Sequence, residues 1–366
     1  MRIAILGTRG IPANYGGFET FAEELSIRLA ARGHEVTVYC RERHPFTEYR
    51  GVRLQYLPTI RHKYLDTLAH TFVSTLWLLA HPVDVVLCCN AANAIFTWLP
   101  RLFGMPVALN VDGIERKRRK WNWLAKGWFL GSEYLSTILP TCFVTDAEAI
   151  RSYYKERYNK DSLFIPYGAD IARVKTSAAP DGLGLEHGRY FLYVSRLEPE
   201  NRALEVRMAF EQVDTDMKLA LIGDAPYAHD YIERVRDTRD PRVVMPGAVY
   251  GLGYKELGSG CFAYIHGTEV GGTHPALIEA MGRGDLVIYY QTAENSEVCG
   301  DAGLPYADER GLAARIRQAL GMSEAERDVY RTRAVERVRR KYDWEVVTTQ
   351  YETLLGALLK RRDQHA

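Results

Sequence analysis

The chain has little cysteine, almost no net charge and no long apolar run, and each shortage removes a class of protein. Its six cysteines, Cys40, Cys88, Cys89, Cys142, Cys261 and Cys299, are scattered through 366 residues with no C-x-x-C pair and no nearby histidine ligands. That spacing excludes a disulfide framework and a zinc site. Most of the six sit in apolar runs, as reduced core thiols of a cytosolic protein would. A formal net charge of +1 excludes a dedicated nucleic-acid binder. The longest apolar stretch, LAHTFVSTLWLLAHP, is broken by His70, His81 and Pro82. It falls short of the roughly 18 apolar residues that a crossing helix needs. The opening MRIAILGT turns polar too early for a secretory signal. A metal-binding acid pair is missing as well, because the D-T-D at Asp214 to Asp216 falls in an expected turn before the strand KLALIG. The expectation is a soluble or membrane-peripheral protein of the cytoplasm.

What is present is a folded α/β chain. Hydrophobic residues make up 47% and charged residues 25%, which describes a globular protein and not a disordered one. The length suits two domains. Short apolar runs alternate with amphipathic stretches, the pattern of parallel α/β units. Strands are expected at RIAIL, EVTVY, VRLQYL, VDVVLCC, PVALNV and TCFVT in the first half. A second series starts at YFLYVSR and continues through KLALIG, RVVMPG, CFAYIH and DLVIYY. Between them IPYGADIARVKTSAAPDGLGLEHGR is rich in Gly, Pro and Ala and reads as a linker. The boundaries expected are 1–168 and 169–345, with a final helix over 346–366 whose apolar residues must pack on something. In open α/β domains ligands sit at the carboxyl ends of the strands.

Two glycine-softened turns stand at such ends. In GTRGIPANYGGFET, Gly16 and Gly17 directly precede a helix, whose N-terminus favours an anion; the alternative is a long turn needing flexibility. The spacing is not G-x-G-x-x-G, and Arg41 stands where a dinucleotide site needs a ribose-binding acid, which disfavours a nicotinamide oxidoreductase. In GTEVGGTHPALIEAMGRG, Gly271 and Gly272 permit close backbone approach, Pro275 suits a first helical turn, and free amides follow around Thr273 and His274. Glu279, a turn further in, would repel a phosphate unless it holds a neighbouring sugar diol; otherwise it is an ordinary dipole-favoured glutamate. A nucleoside diphosphate is the simplest ligand with both features. Arg196, just after YFLYV, either neutralises such a diphosphate or pairs with Glu198 or Glu200. Residues 115–128, ERKRRKWNWLAKGW, combine Arg116, Lys117, Arg118, Arg119 and Lys120 with Trp121, Trp123 and Trp128. They form either a solvated basic face or a contact with anionic lipid headgroups.

Taken in order, these motifs resemble the retaining glycosyltransferases of family 4, which have the two-domain GT-B fold. GGFETFAEELSIRLAARGHEVTVYC, FVTDAEAIRSYYKERY with IPYGAD, YVSRLEPEN and HPALIEAMGRG carry the likeness across nearly the whole chain. GTRGIPANYGGFET and EVGGT resemble the rhamnosyltransferase-like subgroup. The resemblance implies two Rossmann-like domains facing across a cleft and a C-terminal helix crossing back to the first. It implies transfer of a sugar, L-rhamnose from dTDP-rhamnose as the best match, to a saccharide hydroxyl with retention. No cofactor and no metal are implied. The acceptor expected is lipid-linked, in surface polysaccharide (O-antigen or capsule) synthesis at the inner face of the cell membrane.

Carried onto this sequence, Gly16 and Gly17 line the phosphate side, Arg196 contacts the diphosphate, Glu279 holds the ribose, and Thr273 and His274 lie by the phosphates. Three departures from the family pattern stand out. Asn201 replaces a usual lysine, with Arg202 adjacent as a substitute charge. Glu269 lies two residues upstream of the usual first glutamate position, which Gly271 occupies. Asp112 stands where relatives carry a histidine, to bind the donor sugar, take the acceptor proton, or merely cap a loop. A nucleotide-sugar epimerase and a non-catalytic nucleotide-sugar-binding subunit are the rival readings.

Overall fold

A computed structural model describes all residues other than Asn14, Tyr15, Lys63, Arg119, Lys120, Pro226, Tyr227, His365 and Ala366. The chain divides into two compact units, Met1–Gly168 with Trp344–Ala366, and Ala169–Asp343.

In the first unit the strands are β1 (Arg2–Leu6), β2 (Glu35–Cys40), β3 (Glu48–Tyr49), β4 (Val52–Tyr56), β5 (Val85–Cys89), β6 (Val107–Asn110), β7 (Cys142–Thr145) and β8 (Leu163–Phe164). Among the described residues they form one sheet in the order β3-β4-β2-β1-β5-β6-β7-β8, parallel except for the β3–β4 pair. Helices α1 (Gly17–Ala31), α2 (Asp66–Ala80), α3 (Trp98–Leu102), α4 (Trp123–Ser136) and α5 (Glu148–Tyr158) connect them. β5 is apolar throughout and β1 is so after Arg2 because both faces are covered, as parallel sheets require. Strand order reverses between β1 and β5, so the loops after these strands diverge and open a crevice. Gly7, in the loop after β1, has φ +92°, and a Cβ there would lie 2.3 Å from the Cys89 carbonyl oxygen, so only glycine fits.

The second unit holds β9 (Tyr190–Val194), β10 (Lys218–Ile222), β11 (Val243–Gly247), β12 (Ala263–His266), β13 (Leu286–Tyr290) and β14 (Gly303–Tyr306). They pair in parallel in the order β11-β10-β9-β12-β13-β14. Helices α6 (Ala178–Gly182), α7 (Ala203–Glu211), α8 (His229–Arg236), α9 (Gly251–Gly260), α10 (Pro275–Gly282), α11 (Ala293–Cys299), α12 (Glu309–Gly321) and α13 (Glu324–Lys341) accompany them. Phe191 packs edge-on against Phe210 and Phe262 with centroids 6.0 and 5.3 Å away, which anchors α7 to the sheet. Here the order reverses between β9 and β12.

The last helix, α14 (Trp344–Asp363), belongs to the first unit. It buries Val347, Tyr351 and Leu355, and Phe21 of α1 lies against the Tyr351 ring at 5.3 Å. Arg32 clamps the same helix through Glu345 and Glu352, both at 2.7 Å. Asn110, at the end of β6, donates to the Tyr351 hydroxyl at 2.9 Å. All six cysteines are free, and five of them are buried.

Candidate functional site

The switch point of the second unit is lined by the loops after β9 and β12, and these carry the motifs singled out in the sequence. After β9 the chain passes through Arg196 to a short 3-10 turn at Pro199–Asn201. Asn201 is buried, and its side-chain amide donates to the Arg196 carbonyl at 2.7 Å. One of its two amide hydrogens therefore holds the loop's shape. Arg202 adopts a left-handed φ of +60° and opens α7. Its guanidinium carbon lies 4.0 Å from the centroid of the Tyr290 ring. One guanidinium nitrogen donates to Tyr290 Oη at 2.9 Å and to Glu269 Oε2 at 3.1 Å. Arg196 stands 3.9 Å from Glu198 Oε2, a loose pair with a third of its side chain exposed. Two cations, Arg196 and Arg202, thus flank this turn.

The loop after β12 is stitched to the same turn. The Glu269 amide donates to the Glu200 carbonyl at 2.9 Å. His274 is the N-cap of α10, and Pro275 opens the helix. Its imidazole Nδ1 lies 2.9 Å from Asn295 Oδ1 of α11, and its ring sits 4.9 Å from that of His266. Asn295 also donates to the carbonyls of Thr268 and Tyr290, both at 2.9 Å, so one side chain ties the loop after β12 to the end of β13. A Cβ on Gly271 would fall 2.3 Å from His274 Nε2. The glycine is there because the imidazole lies against it. Gly272 and Thr273 are buried in the same loop.

Glu279 lies one turn into α10 and accepts a hydrogen bond from the Tyr254 hydroxyl of α9. Burial raises its pKa above the usual carboxylate value, against the lowering effects of that hydrogen bond and of Arg283. Arg283 is itself held by Asp285 at 3.2 Å, 5.3 Å from the Tyr254 ring centroid. Glu279 is thus braced from one side by a half-buried tyrosine and a buried arginine and does not belong to the first turn of its helix. Tyr254, Tyr290, Asn295 and His266 were not singled out in the sequence. The one available signal was Tyr290 itself, an aromatic at the carboxyl end of a strand.

In the first unit, Gly16 caps α1 with no side-chain bond and Gly17 is its first residue, while Tyr15 lies outside the described residues. Glu19 is buried beneath this turn and accepts the Arg9 amide at 3.0 Å; burial raises its pKa. Arg41 pairs with Asp66 at 2.7 Å and donates to Thr67, so its charge is spent inside the fold. Asp112, after β6, has φ +58° and accepts the Tyr167 hydroxyl at 3.2 Å. Burial, then the charge of Glu115, raises its pKa against the pull of Arg118.

The basic and aromatic run divides, which corrects its reading as a single surface. Arg118 is buried and donates to Glu115 at 2.6 Å; Trp121 donates to the same carboxylate at 3.1 Å. Arg116 donates to Glu133 at 2.9 Å and to the Tyr153 hydroxyl at 2.7 Å. Glu115 and Glu133 draw these three inward. Lys117, Trp123 and Trp128 face out, and Arg119 and Lys120 lie outside the described residues. No metal-binding group of three or more His, Cys, Asp or Glu occurs among the described residues, and no described helix is long and apolar enough to cross a membrane.

Residues 15–173 match the model of Glycosyltransferase Family 4. No curated protein sequence matches the chain. Solved structures match it over nearly its whole length. Sucrose-phosphate synthase from Thermosynechococcus elongatus is 19% identical, covering 98% of this chain and 99% of that one, with a TM-score of 0.81. HepE from Anabaena, in complex with UDP and glucose, is 17% identical, with coverage of 97% and 99% and a TM-score of 0.80. WaaG, a glycosyltransferase involved in lipopolysaccharide biosynthesis, is 15% identical, with coverage of 96% and 99% and a TM-score of 0.73. The chain therefore has the GT-B fold of these glycosyltransferases, two parallel-sheet Rossmann-like domains.

Proposed function

We propose that the chain is a retaining, metal-independent glycosyltransferase that takes a sugar from a nucleoside diphosphate donor and passes it to a saccharide hydroxyl. The observation that carries this reading is the β9/β12 switch point. Two cations and a helix N-terminus stand at the loops after β9 and β12, with a braced carboxylate one turn into α10. The α10 N-terminus and Arg196 and Arg202 suit a diphosphate, and Glu279 suits the ribose hydroxyls beside it. The family match over residues 15–173 and the UDP held by HepE support the donor class.

In this mechanism the acceptor oxygen attacks the anomeric carbon on the face from which the diphosphate departs, so no covalent protein nucleophile is needed. The cations and helix dipole hold the leaving-group charge as the bond breaks. Asp112 either takes the acceptor proton or binds the sugar while the departing diphosphate oxygen takes that proton, and Glu269, oriented by Arg202, contacts the donor sugar. The opening GTRGIPANYGGFET and the EVGGT loop favour L-rhamnose from dTDP-rhamnose. A lipid-linked acceptor in surface polysaccharide assembly, met at the inner face of the cell membrane, fits the exposed tryptophans.

Calorimetric titration of wild type and Glu279→Ala with dTDP, UDP and GDP tests the reading. Tight binding of one base, lost in the variant, supports it and identifies the donor; no binding of any removes it. A non-catalytic binding subunit is the second reading, favoured by Asn201, whose side chain serves the main chain where a lysine is usual. A protein that binds donor with every acceptor class offered but never releases nucleoside diphosphate would establish it. Conversion of the sugar nucleotide without acceptor would mark an epimerase.

A further inference from the structure

Four of the six tryptophans lie at the surface of the first unit. Trp77, Trp98, Trp123 and Trp128 are 37%, 43%, 78% and 40% exposed. Tryptophan carries the largest apolar area of any side chain and is mostly covered in globular proteins. Here the four sit on α2, α3 and α4, which share one neighbour, the 3-10 turn Ala91–Phe96. Phe72 of α2 meets Phe96 of that turn at 5.8 Å, and Arg101 of α3 donates to the carbonyl of Leu139 just beyond α4. The three helices are thus grouped around that turn. Leu76, Leu102, Phe103 and Leu124 are also exposed there, at 45%, 72%, 60% and 61%.

The charges on this face have one sign. Between residues 64 and 140, the exposed charged side chains among the described residues are Arg101, Lys117 and Lys126. The acids of the same stretch are taken up within the unit. Asp66 is paired by Arg41, Asp84 by Arg2, Glu115 by Arg118 and Glu133 by Arg116, at 2.7, 2.9, 2.6 and 2.9 Å. Asp112 accepts from Tyr167. The pairing that draws Arg116 and Arg118 inward is what removes negative charge from the outside. A face that joins tryptophans, leucines and cations, without exposed acids, matches a bilayer with anionic headgroups. The rings prefer the headgroup level, and the cations meet the lipid charge.

We infer that the α2–α3–α4 face docks the protein on an anionic lipid bilayer, lying in the interface without spanning it. This gives the proposed lipid-linked acceptor a location, and in that respect it rests on the function proposed above. The docking itself needs no turnover.

The test is co-sedimentation with vesicles of phosphatidylcholine alone and of phosphatidylcholine with phosphatidylglycerol. Wild type, Lys117→Gln/Lys126→Gln and Trp123→Ser/Leu124→Ser are compared. All four substituted side chains are exposed, so the variants should keep the wild-type melting midpoint. Wild type should pellet with the anionic vesicles, less so as salt rises, and its tryptophan emission should shift to the blue. Losing two cations should weaken binding about 25-fold, at about fivefold each. The Trp123/Leu124 variant should also bind more weakly.

Failure of wild type to pellet, or equal binding by the lysine variant, overturns the inference. So does self-association without vesicles that the Trp123/Leu124 variant abolishes, which would assign the face to a second copy of the chain. Nucleoside diphosphate affinity, measured without vesicles, is independent of these results. Its loss in wild type would overturn the proposed function and leave the docking standing.

Discussion

Arg202 offers the sharpest division between holding a loop and doing chemistry. In Arg202→Met the stem stays and the charge goes. The structure shows what is lost: a charge-assisted bond to Glu269 at 3.1 Å, a bond to Tyr290 Oη at 2.9 Å, and a guanidinium 4.0 Å from the Tyr290 ring centroid. The two side chains of the ion pair are 20% and 32% exposed, so solvent screens part of the attraction. About 1 kcal/mol for the screened polar bonds and about 1 kcal/mol for the cation–π contact give a loss of about 2 kcal/mol. For a domain of this size that lowers the melting midpoint by roughly 4–8 °C. If Arg202 also carries leaving-group charge, kcat should fall far more, by about 100- to 1,000-fold. Lysine should restore part of the rate but not the planar guanidinium against the Tyr290 ring. Initial rates of nucleoside diphosphate release and thermal melts are read on the same samples. A variant that melts lower by the calculated amount but releases product at the wild-type rate would refute a catalytic role and leave Arg202 as a brace for Glu269.

Gly271→Ala places a methyl carbon 2.3 Å from an imidazole pinned by Asn295, so His274 must leave its partner. A stability loss of about 1–2 kcal/mol in denaturant titration and weaker nucleoside diphosphate binding are expected. Asp112→Asn keeps a side chain that tolerates the left-handed φ of +58°, so the melt should be unchanged while transfer to acceptor is lost. His70, fully buried on α2, has its pKa pushed down to about 4 by burial and then by Arg41. A histidine held neutral in the fold binds its proton more readily when unfolded. Stability from this site is therefore complete above the unfolded value near 6.5 and drains as pH falls toward 4. The loss reaches about 3 kcal/mol. Denaturation of wild type against His70→Leu across that window should show the difference, and parallel profiles would contradict it.

The strands were legible because a parallel sheet buried on both faces demands unbroken apolar runs such as VVLCC and LVIYY. The short edge elements were not. β3 and β8 have two residues each, and β14 reads GLPY, with a glycine and a proline that speak against a strand. In the candidate site, the turn chemistry of Gly271 to Pro275 could be read locally. What grips those residues could not. Tyr254 reaches Glu279 from 25 residues upstream, and Asn295 reaches His274 from 21 residues downstream. Neither separation has a helical or strand period, because topology sets the contact. Within the run at 115–128, Arg116, Arg118 and Trp121 turn inward for the same reason. Charge along the sequence says nothing of Glu133 and Tyr153, which take Arg116 inward.

The last helix has a consequence for how the protein is made. The second unit is one uninterrupted stretch, Ala169–Asp343, while the first is split, with Trp344–Ala366 returning to it. As the chain leaves the ribosome, the unit encoded second has all its parts before the unit encoded first does. Until residues 344–363 emerge, Asn110 lacks the Tyr351 hydroxyl, Phe21 has Tyr167 but not the Tyr351 ring, and Gly168 lacks the Trp344 indole that a Cβ there would strike at 2.3 Å. The usual N-to-C order of domain completion is inverted. The nascent first unit waits, with the side of α1 that α14 covers still open, for as long as the second unit takes to be translated.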